Sequence, residues 1–516
     1  MRWHARSSCD ITENTVVIVF QVSQDKVQYA NLWFQNAEQI RTNMKERYGS
    51  RLKDVDEQLS VIKEEIKQIN KKLKSVDNEA EKERLIGEEA VGTATATRLK
   101  FPLMEALIGR RSRRFCMGSE IPDGVFTFKS KYKPMQLSEI EQMLLLSTMG
   151  GVTGWHFAIM RHKKYAPYLS NYCNSPSGRT FPSAAGFSTS EIFYTDDNGT
   201  YFFPTRDFHP PLDIMDGKVD LQEFLAAHKS RIRKISDKRL YTPKEEPYME
   251  GHNTWIANHE GSTLVIPVGD LAQHTLSAIL YYTVNHLPIF DDIVKKQIPG
   301  IDKYDKIVDT KNPIPLTYLE QYNISELTAE LSTSCYAGML LLQTMGLGGW
   351  LYHGIDRHTV LGATGDPNVP GLGFRYETDD RWSIPNPTGL PGVFEAYCPP
   401  HYKNMREAID ALINRKFGEG GMYNVETPGA WKDSAKVRGS ANPITEEIKE
   451  CAALQAQYIY DTYGKFPATI PSIFLLTYLQ AQHIDLDFYD HYFKPGAYLT
   501  THKNHMMNWH GNSSSK

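Results

Sequence analysis

Residues 340–350 read Leu340-Leu341-Leu342-Gln343-Thr344-Met345-Gly346-Leu347-Gly348-Gly349-Trp350. They close a largely apolar run that begins at Glu326. A helix apolar on most of its faces lies at the centre of a domain, and glycine is the residue that tolerates the left-handed backbone ending a helix. The run therefore predicts a central helix over 326–345, stopped by Gly346. Gly348 and Gly349 carry no Cβ and let another group approach the main chain closely. The plain reading is a helix stop before a buried strand. The sharper one is a backbone turn against which a planar ligand rests.

A second informative stretch, Arg110-Arg111-Ser112-Arg113-Arg114, follows an apolar segment containing Leu103, Met104, Ala106, Leu107 and Ile108. A phosphate needs several donors converging on its oxygens. Arginine supplies a rigid fork and serine a short hydroxyl. Arg110, Arg111, Ser112 and Arg114 offer these from a single turn, while a solvated basic surface is the plainer alternative. Between the two stretches lies Arg179-Thr180-Phe181-Pro182-Ser183-Ala184-Ala185-Gly186.

The surrounding chain supplies helices and strands in mixed order. Ser138 with Glu141 three residues later is a capping pair opening a helix over 138–149. Two β-rich segments, 190–194 and 200–203, flank Asp196-Asp197-Asn198-Gly199 and predict a hairpin. An amphipathic helix is expected over 221–235, a buried strand over 262–268 and a helix over 271–285. Beyond residue 380 a proline-rich stretch precedes helices over 405–416 and 444–463. Near the N-terminus, 16–22 reads as a strand. Leu52, Val55, Leu59, Ile62, Ile66, Ile69, Leu73 and Val76 form a heptad seam, which fits either a helix lying on the chain's own body or a coiled coil between subunits. Residues 92–97 read as a linker. The fold class is α+β, a central sheet flanked by helices, divided as 1–97, 98–380 and a C-terminal extension, 381–516.

Composition narrows the function. The 516 residues carry a net charge of −4, which gives no general attraction to nucleic acid or an anionic membrane, so basic chemistry must be local. Six cysteines lie scattered without CxxC spacing, which argues against a zinc ribbon or a redox dithiol. No apolar stretch is long enough to span a bilayer, and no secretory signal is visible. The expected setting is cytoplasmic. His502, His505 and His510 could supply metal ligands with Asp485, Asp487 or Asp490, but complete no known ligand signature.

Taken in order, the arginine segment, the capped helix, the Pro182-Ser183 turn and the helix leaving through Gly346-Leu347-Gly348 resemble the nitroreductase superfamily of FMN flavoproteins, over roughly 98–380. Gly186, four residues after Pro182, is closer to the azoline-forming peptide dehydrogenases than to the small nitroreductases, which carry asparagine there. The resemblance implies a nitroreductase-like sheet and an FMN-dependent oxidoreductase. Its cofactor-binding residues would be Arg110, Arg111, Ser112, Arg114, Pro182, Ser183, Gly348, Gly349, His353, Gly354 and, from a later strand, Arg375. Backbone donors at His353 or Gly354 would face flavin N5, and Tyr352 and His353 are the candidate catalytic side chains. It further implies NAD(P)H as a candidate donor, a small-molecule or peptide substrate, and a homodimer. The alternative is a cofactor-free scaffold of the same fold that binds a partner.

Overall fold

The computed structural model describes residues 103–155, 177–183, 186–206, 221–428, 431–439 and 444–510, together with Glu64 and Lys67. The expected strand at 16–22, the heptad segment 52–76 and the linker 92–97 lie outside the described residues, except that Glu64 and Lys67 are helical and ion-paired at 3.4 Å. Ala106–His502 form one compact unit; Met1–Glu105 with Lys503–Lys516 form another.

Among the described residues, seven antiparallel strands build the central sheet: β1 Ser190–Asp196, β2 Gly199–Phe203, β3 Arg233–Ser236, β4 Thr263–Asp270, β5 Gly348–Tyr352, β6 Ile473–Phe474 and β7 Tyr478–Gln482. Their spatial order is β5-β7-β4-β1-β2-β3, with β6 also paired to β4. The hairpin forms as expected: Asp196 pairs with Gly199, and the Asp196 carboxylate accepts the Asn198 N–H at 2.8 Å.

Strand alternation divides the core. Phe193, Phe202, Leu264 and Ile266 face one side, while Ile192, Tyr194, Phe203, Val265, Leu479 and Ala481 face the other. Among the described residues the five longest helices are α1 Glu139–Gly150, α2 Leu271–Val284, α3 Leu316–Met345, α4 Met405–Phe417 and α5 Glu446–Tyr463. α2, α4 and α5 bury their apolar faces in the first cluster; α1 and the C-terminal half of α3 fill the second. Each fully buried Leu, Ile or Phe stabilises by about 1.5–3 kcal/mol, so this two-sided burial fixes strand register. The architecture is α+β.

α1 begins where its capping box predicts. Ser138 Oγ accepts the Glu141 N–H, and Glu141 Oε2 accepts the Ser138 N–H at 2.9 Å. Two expectations shift. The helix expected over 221–235 ends at Lys229, and Arg233–Ser236 become β3. Ile232 and Ile235 satisfy a helical pattern, but pairing with β2 places Arg233 over Phe202 and Lys234 over Tyr201. α3 starts ten residues before Glu326, at Leu316. Its early polar residues hid the pattern: Glu320 accepts the Ala468 and Thr469 N–H groups at 2.6 and 2.7 Å, and Asn323 donates to Thr275 at 3.0 Å.

Part of the segment expected as a C-terminal extension enters the sheet. β7 lies between β5 and β4, paired on both edges. Among the described residues no helix is long and apolar enough to cross a membrane.

Candidate functional site

The arginine segment leaves the short helix Leu103–Gly109 and runs alongside the start of β5. The Gly349 N–H donates to the Arg113 carbonyl at 3.0 Å. The two stretches that stood out in the sequence, more than 230 residues apart, are therefore hydrogen-bonded neighbours.

Within the segment the side chains divide. Arg113 turns inward and is 3 % exposed. Its guanidinium donates to Gln343 Oε1 at 2.7 Å, the Ala497 carbonyl at 3.0 Å and the Gly109 carbonyl at 3.2 Å. Burial lowers its pKa to about 10, which still leaves it protonated at neutral pH. Arg111 and Ser112 are exposed, and Arg110 and Arg114 are half-buried. Arg111 donates to the carbonyls of Ile108 and Arg110, at 3.0 and 2.7 Å. Arg114 lies 6.0 Å above the Trp350 ring. Among the described residues, none of Arg110, Arg111 and Arg114 has a carboxylate within ion-pair distance. Among the described residues, three guanidinium groups and a hydroxyl of one short segment thus stand without a counter-charge, donors of the kind a phosphate takes.

The glycine turn serves a different purpose from the one expected. Gly346 ends α3 in the left-handed region at φ 74°. A Cβ on Gly348 would stand 1.9 Å from Ile484 Cγ2 and 2.8 Å from the Arg113 carbonyl; one on Gly349 would stand 2.3 Å from the Gln480 carbonyl. The close approach is made by the chain itself. Gly354 is similar, since a Cβ there would stand 2.0 Å from Asn253 Nδ2, and its carbonyl accepts the Glu250 N–H at 2.9 Å.

Tyr352 is 8 % exposed, stacked on Trp350 at 4.7 Å, and donates its hydroxyl to Gln480 Oε1 at 3.3 Å. Burial pushes its pKa far up, so the hydroxyl keeps its proton. His353 has an exposed side chain. Arg375 lies in the short strand Arg375–Glu377, its charge met by Glu377 at 3.0 Å.

The Pro182-Ser183 turn is fixed to the middle of α3. Thr333 donates to the Pro182 carbonyl at 2.8 Å, and Ser183 Oγ donates to Glu330, which also accepts the Ser190 N–H at 2.9 Å and the Ser190 hydroxyl. Glu330 and Gln343 are thirteen residues apart on one helix, about 20 Å along its axis. The structure joins the arginine and glycine stretches but sets the Pro182-Ser183 turn well away from them.

Two features escaped the sequence reading. Gln343 is the anchor for Arg113, and its signal was a buried amide side chain inside an otherwise largely apolar helix end. A buried chain runs from Thr189 Oγ1 to His274 Nδ1 at 3.3 Å and from His274 Nε2 to Glu326 at 2.9 Å, with the imidazole stacked on Phe187 at 3.9 Å. Thr189 and His274 are almost wholly buried, so this chain pins the loop after Gly186 onto α2 and α3. The candidate metal carboxylates are engaged elsewhere. Asp485 accepts from Ser130 at 2.7 Å, Asp487 pairs with Lys131 at 2.6 Å, and Asp490 accepts from Tyr498 at 2.8 Å.

No family model matches the chain. No curated protein matches it either. Among solved structures it is similar to a "putative nitroreductase" from Ralstonia eutropha, with 11% sequence identity over 50% of this chain and 72% of that one, and a TM-score of 0.23. A likeness of that extent does not establish a shared fold.

Proposed function

We propose that this chain is an FMN-dependent oxidoreductase of nitroreductase type, with the flavin phosphate held by Arg110, Arg111, Ser112 and Arg114. One observation carries the reading. The inward turn of Arg113 locks the segment to Gln343 and Gly349, while among the described residues the neighbouring arginines have no carboxylate partner. The donor set fits a phosphate. The faces of Gly348 and Gly349 expected to meet the ring are filled by Ile484 and Gln480, so hydride transfer is assigned to no side chain here. Bound flavin supplies the redox chemistry; this chain's residues bind and orient it. NAD(P)H is the proposed donor in the reductive direction, and a small molecule or peptide the proposed substrate.

The filled glycine faces favour one other reading, a cofactor-free scaffold that binds a partner. An absorption spectrum of the purified chain, with mass analysis of anything released on denaturation, separates the two. Released FMN, together with about tenfold weaker FMN binding in Arg110→Ala and Ser112→Ala, supports the flavin reading. A colourless protein that binds no added FMN favours the scaffold.

A further inference from the structure

Arg113 and Arg114 are neighbours in a segment bridged to β5, and their side chains leave on opposite faces of the sheet. Arg113 reaches Gln343 on α3. Arg114 reaches the other face, where its guanidinium carbon lies 6.0 Å from the centre of the Trp350 ring. Trp350 is 3 % exposed and stacks on Tyr352 at 4.7 Å. It pairs with Gln480 of β7, so the Gln480 and Gln482 side chains share this face.

The polar groups here are engaged with one another, with two exceptions. The Tyr352 hydroxyl and the Asn258 N–H donate to Gln480 Oε1, at 3.3 and 2.7 Å. Gln480 Nε2 donates to Gln482 Oε1 at 2.8 Å and to the Ile256 carbonyl at 3.0 Å, and Gln482 Nε2 donates to the Arg114 carbonyl. One exception is the Trp350 indole N–H, buried with no acceptor among the described residues. The other is the Arg114 guanidinium, which among them makes no hydrogen bond and meets no carboxylate. A buried donor left unpaired costs free energy, and nearly all such donors in folded proteins find a partner. An indole N–H only donates, so the missing partner is an acceptor. The cation beside it selects an anionic one. Nitrogens that share one oxygen at about 2.9 Å stand up to about 5.8 Å apart, the scale of the separation here.

We infer that the Trp350 indole N–H is a ligand donor, binding together with Arg114 the oxygens of a phosphate monoester. The inference rests on the flavin reading only for the source of that phosphate, since FMN and a phosphorylated substrate present the same group. Arg114 supplies charge from the exposed segment. Trp350 supplies a neutral donor fixed in the core by its stack on Tyr352, so the phosphate is held against a rigid strand as well as a surface turn.

The full chain labelled with nitrogen-15 in its indole rings tests this. Eight tryptophans give eight indole N–H signals, and the Trp350 signal is the one missing from Trp350→Phe. Inorganic phosphate and FMN should each move it downfield; riboflavin, which lacks the phosphate, should not. Arg114→Gln should keep all eight signals and abolish the response, a readout that does not need Trp350→Phe to fold. Folded Trp350→Phe should bind phosphate and FMN about tenfold more weakly, with riboflavin unaffected. A signal that moves with phosphate while FMN does not bind keeps the inference, with a phosphorylated substrate as the source, and removes the flavin reading. FMN that binds without moving the signal, and as tightly to Trp350→Phe as to the native chain, overturns the inference and leaves the flavin reading intact. No indole signal responding to either ligand overturns it as well.

Discussion

At the scale of single residues, the arginine segment separates into one anchor and four outward groups. Replacing Arg113 by alanine would strand Gln343 Oε1 and two carbonyls in a buried site. The expected loss is about 2–4 kcal/mol of folding stability, read by urea denaturation without added flavin. Ser112→Ala touches no such network and should leave the urea midpoint unchanged; a large shift there would mean Ser112 is structural. Two buried histidines make stability pH-dependent. His228 accepts the Val152 N–H on Nε2 at 3.0 Å, and burial lowers its pKa to about 4. Burial, with Arg113 nearby, lowers His502 to about 3. Above pH 6.5 both are neutral, folded or unfolded. Below 6.5 the unfolded chain takes up protons that the folded chain refuses, so stability falls as pH falls until the folded pKa is reached. Each group removes about 1.4 kcal/mol per pH unit in that window. His228→Gln should remove the His228 share of the slope between pH 6.5 and 4; an unchanged slope would exclude His228 as its source. At this scale the sequence was legible in part. Four arginines around a serine offer donors that an anion could take, but which of them faces inward depends on Gln343, distant in the chain.

At the scale of elements, local signals were read well and tertiary ones less so. The capping box at Ser138, the turn at Asp196–Gly199 and the glycine stop of α3 each rest on neighbours within a few residues. The role of Gly348 and Gly349 does not. Their missing side chains make room for the Arg113 carbonyl, Ile484 and Gln480, groups more than a hundred residues away in either direction. Gly349→Ala should therefore destabilise the protein by about 2 kcal/mol or more through its clash with the Gln480 carbonyl, whether or not flavin is present. An alanine variant as stable as the native chain in urea, but defective in FMN binding, would return these glycines to a role against the ring. α3 shows the converse limit. Glu320 and Asn323 break the apolar period, so its first ten residues do not read as helix, although their partners make both side chains as firmly buried as leucine.

At the scale of the whole molecule, the decisive element is one the sequence placed outside the domain. β7 pairs five residues with β5 and three with β4, so one interior strand of the sheet comes from the last tenth of the chain. Leu479 and Ala481 enter the core beside α1 and α3, and Tyr478 is fully buried on the opposite face. No periodicity could show this, because a five-residue strand has the same pattern wherever it inserts. The consequence is testable by truncation. A chain ending at residue 470 keeps all four sequence stretches that suggested a flavin site. It would nevertheless expose the edges of β4 and β5 and leave Gly349 facing an empty slot. Unpaired edges of this length are expensive in hydrogen bonds and prone to aggregation. Residues 1–470 should therefore lack a cooperative thermal transition and should neither bind FMN nor remain monodisperse. A truncated chain that melts cooperatively would show that β7 merely docks on a core that folds without it. Loss of folding would instead make the C-terminal strand a condition for the arginine segment and the glycine strand to meet.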